Sequence, residues 1–264
     1  LKYKKCHLYR DKESKPKLWE VEKLFRREFS KKFCSVAEEL TKDCSGSVIK
    51  AHSVSRSWLA NIGEDSHVFG LRTSIHAIAR NKGEPVPELI GINEASTFTG
   101  FCSDHDKALF AKIEDIPFTG TDEQCFLLAY RTVAREYFTK NSASKVLSQS
   151  KGLDKGMDQL GQLLYQIETQ IAGTGTKVGL EDIKEEKSAY DRMLLDGDFR
   201  DLKYYIIEIA EIPQIMSSAG YSVSHDFYGN KIQDLTDLNK HVDSMSYSVI
   251  PTHTGGAIVF SLLE

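Results

Sequence analysis

Cysteine and histidine residues in the first half of the chain constrain its fold more than any other feature. Cys34 and Cys44 precede an apolar stretch that ends at His52, and Cys102 and His105 follow farther along the chain. Zinc is usually held by four Cys or His ligands in tetrahedral geometry, and two ligands separated by two residues suit the start of a helix. The spacing therefore predicts a structural zinc ion bound by Cys34, Cys44, Cys102 and His105.

Two alternatives to this ligand set stay open. Nine residues separate Cys34 from Cys44, which is longer than a tight zinc turn, although closing a longer loop costs only modest extra entropy. Cys6 beside His7 could replace one ligand pair, or the cysteines could be buried without metal. Cys125 lies in an apolar helical stretch and is expected in the core.

The cysteine count also bears on the compartment. Five cysteines in 264 residues are an odd number and too few for a disulfide scaffold, so we expect a reducing, cytoplasmic setting. No apolar run approaches the ~20 residues that a membrane helix needs, and the polar, basic start is unlike a secretory signal. These features predict no membrane partner.

Charge is distributed unevenly along the chain. Residues 1–56 contain 15 Lys and Arg against 8 Asp and Glu, whereas the remainder contains 19 against 30. A basic segment is compatible with phosphate contacts to nucleic acid, and it is equally compatible with a solvated helix face.

The periodicity of apolar residues predicts an α+β fold. We expect helices over 17–33, from Ser103 or Asp104 to about 113, and over 123–140, together with a strand over 48–52. The Ser-, Lys- and Gly-rich segment 141–155 is a predicted boundary, giving domains of 1–145 and 146–264. The second domain is predicted to contain a helical hairpin (156–172 and 180–195, joined by 173–176) and then an antiparallel sheet.

His52 is the candidate for catalysis. A neutral imidazole at the end of a strand can deprotonate a water molecule, Asp106 could bind a divalent cation, and Arg56 could clamp a phosphate. His52 could instead be a zinc ligand or a hydrogen-bonded core histidine. His67 is a second, weaker candidate, and His225, His241 and His253 in the C-terminal part have no recognisable partner pattern.

These residues resemble the HNH, or ββα-metal, endonucleases that are built on a treble-clef zinc scaffold. The resemblance covers residues 34–115, and the strings IKAHSVSR (49–56), ASTFTGFC (95–102) and FLLAYR (126–131) are similar to an uncharacterised bacterial family of HNH type sometimes found in anti-phage loci. It implies an endonuclease that hydrolyses phosphodiester bonds of DNA or RNA with Mg²⁺ or Mn²⁺. It also implies a treble-clef-like zinc module with flanking helices, and His52 as the general base.

The chain departs from the HNH pattern at three positions. Ala51 stands where a metal-binding His or Asp is usual, Thr97 falls near the usual asparagine, and Phe110 falls near a metal-binding histidine. Either other carboxylates, such as Asp104 or Glu114, complete an active site, or the chain is a catalytically degenerate zinc-stabilised module that binds nucleic acid or protein. An unrelated enzyme or interaction protein with buried cysteines is a third hypothesis. The acidic C-terminal region is a possible surface for a protein partner or a homodimer.

Overall fold

The structure is a computed structural model that describes residues 9–71 and 74–264. Its α-helices are α1 (Leu18–Phe29), α2 (Arg56–Ala60), α3 (Ile75–Arg80), α4 (Ser103–Glu114), α5 (Asp122–Ser150) and α6 (Gln159–Asp196). Its strands are β1 (Val48–His52), β2 (His67–Leu71), β3 (Pro87–Gly91), β4 (Thr97–Cys102), β5 (Leu202–Ile209), β6 (Ser217–Tyr221), β7 (Met245–Pro251) and β8 (Gly256–Leu263). Short 3₁₀ helices span Arg10–Lys12 and Glu38–Asp43.

The strands form three separate sheets. β1 pairs with β4, β2 pairs with β3, and the C-terminal strands form a four-stranded sheet in the order β5-β8-β7-β6. The pairs β1–β4, β5–β8, β8–β7 and β7–β6 are all antiparallel. The mixed α+β class and the C-terminal antiparallel sheet are therefore as predicted. Among the described residues, no helix is both long and apolar enough to cross a bilayer.

The two long helices differ from their predicted boundaries. α5 continues to Ser150, and α6 is continuous through the Gly-Thr-Gly-Thr segment 173–176, so the predicted break there is wrong. A glycine inside a helix costs only about 1 kcal/mol, which burial of Thr169 and Leu180 on either side can offset. The predicted hairpin of 156–172 and 180–195 is therefore absent, and α6 instead follows α5, with Tyr165 of α6 donating a hydrogen bond to the carbonyl of Ser150 at the end of α5.

The chain divides into two compact units, each drawing on several stretches of sequence. The first comprises the described parts of Leu1–Lys31, Leu71–Glu88 and Thr139–Leu180, and the second comprises Lys32–Gly70, Leu89–Phe138 and Glu181–Glu264. Each long helix contributes residues to both units, and the predicted boundary at residue 145 falls inside α5.

An aromatic cluster joins the β1–β4 hairpin to the helices within the second unit. The Phe101 ring of β4 lies 5.2 Å from the ring of Phe110 on α4, in an edge-to-face arrangement. Phe98 of β4 lies 5.7 Å from Phe138 on α5. Ala51 of β1, which pairs with Phe98, is buried on the same face of the hairpin. This face therefore forms the core, and α4 packs against it.

A β-bulge in β4 lets both phenylalanines point into that core. Ile49 pairs with Phe101 and Ala51 pairs with Phe98, so β4 advances three residues where β1 advances two. Gly100 is required at the bulge, since a Cβ there would lie 2.2 Å from Cε2 of Phe98.

Candidate metal centre

Four predicted ligands converge at the junction of β4 and α4. The ligand atoms of Cys34, Cys44, Cys102 and His105 all lie within 4.8 Å of one another. Nδ1 of His105 lies 3.6 Å from Sγ of Cys34, 3.5 Å from Sγ of Cys44 and 3.1 Å from Sγ of Cys102. The cluster could hold a metal ion, and it is the one such group of three or more Cys, His, Asp or Glu found among the described residues.

The hairpin and the helix place the second pair of ligands. Cys102 ends β4 in an extended conformation and is the N-cap residue of α4, and His105 lies in the first turn of that helix. One turn of helix brings the two side chains to the same side, and both are buried. The two-residue spacing therefore places the side chains of Cys102 and His105 together at the start of α4, as the sequence predicted.

Cys34 is held by pairing of its loop with the bulge in β4. Ser35 donates its backbone N–H to the carbonyl of Gly100 at 2.8 Å, and Phe33 donates to Thr99. The backbone N–H of Cys102 then points to Sγ of Cys34 at 3.4 Å. The bulge therefore sets the position of the first ligand as well as that of the core phenylalanines.

Cys44 is brought back to the cluster by a short helical loop. The 3₁₀ helix Glu38–Asp43 takes up most of the nine-residue gap after Cys34 and ends at Cys44. Gly46, with φ of 74°, turns the chain into β1, and Ser103 donates its backbone N–H to the carbonyl of Ser47 at 3.0 Å. The long gap is therefore accommodated by local structure and does not exclude a common metal.

The thiols have opposite acid–base tendencies. Desolvation opposes ionisation of Cys102, but the backbone N–H groups of His105 and Ser45 outweigh it and lower the pKa of this thiol to about 6. Burial, with the neighbouring Cys34 and Cys102, raises the pKa of Cys44 to about 12. Three crowded thiolates need a cation to ionise together, and a bound metal supplies one.

The donor set fits zinc. With Zn–S near 2.3 Å and Zn–N near 2.0 Å, tetrahedral geometry places sulfur and nitrogen ligands about 3.6 Å apart. Two of the three Sγ–Nδ1 distances, 3.5 and 3.6 Å, match this value. Three cysteines and one histidine also complete a tetrahedron, as in structural zinc sites, whereas catalytic zinc keeps one position open.

His52 and Arg56 lie at the other end of the hairpin, around the turn that precedes β4. Nε2 of His52 lies 2.9 Å from the carbonyl oxygen of Ile92. Nε of Arg56 donates to Oδ1 of Asn93 at 2.6 Å, and Lys50 forms an ion pair with Glu94. We name the group His52, Arg56 and Asn93 the turn surface.

Asp106 lies in a different environment. It is on α4 next to His105 of the Cys/His cluster, and burial raises the pKa of its carboxyl to about 6 against the opposing charge of Arg131. Arg131 is fully buried on α5, forms a 2.8 Å ion pair with Glu114, and stacks 4.2 Å from the centre of the Phe110 ring. A guanidinium group thus lies near two of the three carboxylates that the sequence suggested as cation ligands, Asp106 and Glu114.

The structure does not place Asp106 and His52 in one site. Alternation along β1 directs His52 away from the face on which Ala51 is buried, and α4 packs against that buried face. Phe110 is buried in the aromatic core. His52 and Asp106 have different neighbours: Nε2 of His52 contacts the carbonyl of Ile92, whereas Asp106 lies near Arg131 and Glu114.

Other candidates have simpler environments. Asp104 accepts a hydrogen bond from Ser103, and Nδ1 of His67 lies 2.7 Å from the carbonyl oxygen of Asp65. Cys125 is buried and free, as expected of a core residue. His225 contacts Ser224, whereas His241 lies near Asp182, Glu185 and Asp243. The alternative ligands Cys6 and His7 lie outside the described residues.

Two functional features were missed from sequence. Arg131 lies within the FLLAYR string, but an arginine in an amphipathic helix carries no signal that it will be buried. Asn93 follows the apolar pair Ile90 and Ile92 at a strand end, which is a typical turn position, and its link to Arg56 depends on the tertiary fold. Comparison with protein-family models, curated proteins and solved structures found no match for this chain.

Proposed function

We propose that the chain is a zinc-stabilised module with a treble-clef-like scaffold, and that it binds nucleic acid through the turn surface. The observation that carries this proposal is the closed set of three cysteines and one histidine, whose ligand atoms lie within 4.8 Å of one another. A metal with four protein ligands has no open position for substrate, so its role here is to organise the fold.

The topology around the ligands supports the treble-clef assignment. A ligand-bearing loop leads into β1, β1 pairs with β4, and β4 leads directly into α4, which carries the last ligands. The hairpin and the N-terminus of the helix thus meet at the metal, as the resemblance to the HNH scaffold implies. A role in bacterial anti-phage defence stays a prediction from that resemblance.

The turn surface supplies the groups that a phosphodiester needs. Arg56 is exposed, and the contact with Asn93 engages its Nε, so the terminal nitrogens of the guanidinium group can bind a phosphate. Arginine recognises phosphate through such paired donors. His52, four residues before Arg56, is half-buried and adds a polar group that the Ile92 carbonyl orients.

Metal-dependent endonuclease activity is a second candidate, and the geometry of His52 favours it. The contact between Nε2 and the carbonyl of Ile92 requires a proton on Nε2, which leaves Nδ1 free to accept a proton as a general base does. Arg56 would then hold the phosphate. Magnesium or manganese would require Asp106, and the buried Arg131 beside that carboxylate weighs against this role.

One pair of assays separates the two functions. Binding and cleavage of plasmid DNA and single-stranded RNA would be measured, with Mg²⁺ or Mn²⁺, for wild type, Arg56→Ala, His52→Ala and the control Arg200→Ala. Arg200 is an exposed arginine paired with Asp198 in another part of the chain. We expect Arg56→Ala to weaken binding at least tenfold, about 1.4 kcal/mol, and Arg200→Ala to leave it unchanged.

Binding and cleavage by the His52→Ala variant distinguish a binding module from an endonuclease. Binding without cleavage in wild type, retained in His52→Ala, supports the binding module. Cleavage that needs the divalent cation and disappears in His52→Ala, while binding survives, supports the endonuclease. Equal binding by wild type and Arg56→Ala, or no binding at all by zinc-loaded protein, would contradict the turn surface as a nucleic-acid site.

A further inference from the structure

The first half of α6 exposes an unbroken row of large apolar side chains. Five of them are exposed by 45% or more: Leu160 (63%), Leu163 (56%), Leu164 (50%), Ile167 (45%) and Ile171 (68%). The opposite side of the helix is covered within the first unit, where Gln162 and Thr169 are buried. Such a row on an exposed helix face marks an interaction surface.

The spacing of these residues is that of a coiled coil. Leu160, Leu164, Ile167 and Ile171 follow one another at intervals of four, three and four residues, and we name these four the apolar seam. Thr174 and Val178 continue the same intervals of three and four. A 4-3 repeat keeps one stripe facing a partner helix, and Leu163 flanks this stripe. The four seam positions carry no charge.

We propose that the apolar seam pairs with the same seam of a second copy of this chain, in an antiparallel two-fold arrangement. The heptad places Leu164 and Ile171 at position a and Leu160 and Ile167 at position d, so the seam lacks the uniform pattern of Ile at a and Leu at d that favours parallel dimers. In an antiparallel pair, each a residue meets a d residue of the other helix. Leu160 then packs against Ile171 of the second copy, and Leu164 packs against Ile167.

A second copy of the chain fits this surface, because the apolar seam is complementary to itself in the antiparallel arrangement. The antiparallel register gives four consecutive layers, each with one leucine and one isoleucine, and leaves none of the four seam side chains facing a polar residue. A two-fold interface uses the same patch twice, so a self-complementary stripe is what it requires. Space is also open beside the helix, because a Cβ added at Gly173 or Gly175 would meet no atom within 4 Å.

The available area sets the expected strength. The exposed fractions of the five apolar residues correspond to roughly 500 Å² per copy, below the ~800 Å² per partner of a standard stable interface. We therefore expect a dimer that dissociates on dilution in the micromolar range. This inference does not depend on the zinc or nucleic-acid proposals.

Sedimentation of the full, zinc-loaded chain over a wide concentration series tests the dimer. We expect wild type to associate, Leu164→Glu and Ile171→Glu each to weaken association at least about tenfold, and Leu195→Glu to leave it unchanged. Leu195 is an exposed leucine near the other end of the same helix, outside the seam. Circular dichroism and zinc content establish that each variant is folded.

Cross-linking tests the orientation, in a Cys6→Ser background. Leu164→Cys mixed with Ile167→Cys should form disulfide-linked dimers faster than either variant alone, because these positions face each other in the antiparallel pair. Faster linkage of each variant with itself would overturn the antiparallel arrangement. A wild type that stays monomeric at high concentration, or a dimer unaffected by both glutamate variants, would overturn the proposal itself.

Discussion

The two ends of the β1–β4 hairpin carry the two residue sets that the sequence singled out, and they have different outcomes. At one end, where Val48 pairs with Cys102, four ligands come together. At the other end, where His52 pairs with Thr97, the histidine contacts the turn at Ile92, whereas Asp106 lies near Arg131 and Glu114. Cys102 and His105 lie close together in sequence at the β4–α4 junction, so local geometry brings their side chains together. His52 and Asp106 lie on a strand and a helix, and they can meet only if the helix packs on the face of the strand from which His52 projects.

The largest effect is expected from removing one cysteine of the proposed zinc site. Cys102→Ala removes a ligand from the buried cluster, and metal binding in small zinc sites contributes about 10–16 kcal/mol to folding. Because total stabilities are about 5–15 kcal/mol, we expect loss of zinc and unfolding of the hairpin region. Zinc content by mass spectrometry and circular dichroism, with and without chelator, measure this.

Cys125→Ala is the matched control for that experiment. Cys125 is buried and free but lies outside the ligand cluster, so its truncation should cost about 1 kcal/mol and leave zinc content unchanged. A Cys102→Ala protein as stable and zinc-loaded as the control would show that the cluster is a group of buried thiols without a structural metal.

A smaller effect is expected from breaking the ion pair between Glu114 of α4 and Arg131 of α5. Arg131 is fully buried, and its Nε and Nη1 atoms have no hydrogen-bond partner among the described residues, so its ion pair with Glu114 is its direct contact with a counter-charge, with Asp106 also nearby. Glu114→Ala should destabilise the protein by about 3 kcal/mol, because an uncompensated buried charge remains. Arg131→Met removes that charge and should cost less.

Urea denaturation of both variants measures this difference in the free energy of unfolding. If Arg131→Met proves more destabilising than Glu114→Ala, the arginine contributes through its packing against Phe110 more than through its charge. Zinc content should stay at the wild-type level in both variants, which separates this region from the ligand cluster.

Gly100→Ala should disturb the link between the bulge and the metal. The new Cβ would lie 2.2 Å from the ring of Phe98, which is held between Phe101 and Phe138 and cannot easily move. Overpacking of this kind costs about 1–3 kcal/mol. Because Ser35 pairs with the carbonyl of Gly100, we also expect weaker zinc binding in competition with a chelator.

Gly220→Ala is a control for that substitution in the C-terminal sheet, where a Cβ would meet only the flexible side chain of Glu136 at 3.1 Å. The control should retain both stability and zinc affinity. Unchanged zinc affinity in Gly100→Ala, despite lower stability, would mean that the loop of Cys34 does not depend on the bulge.

The sequence predicted the cluster of four potential ligands better than it predicted the other end of the hairpin, for physical reasons. The Cys102 and His105 spacing depends on one turn of helix, and the α+β class depends on apolar periodicity, so both were predictable. The continuity of α6 was not, because tertiary burial overrides the weak preference of glycine against helix. The separation of His52 from Asp106 depends on strand parity and on the packing side of α4, which spacing alone does not encode.

The smallest effect is expected at the far end, from His52→Ala. The substitution removes one hydrogen bond and leaves the buried Ile92 without its contact to the imidazole, a loss of about 1 kcal/mol. Zinc content should remain that of wild type, because the imidazole lies at the opposite end of β1 from Val48 and Cys102. Chemical denaturation and zinc analysis of His52→Ala beside an exposed-histidine control, His225→Ala, measure both quantities.

A loss of zinc in His52→Ala alone would show that the two ends are coupled through β1, and the turn surface could then be regulated by the metal. Unchanged zinc content would show that the side chain of His52 can be removed without affecting the metal site at the other end of the hairpin.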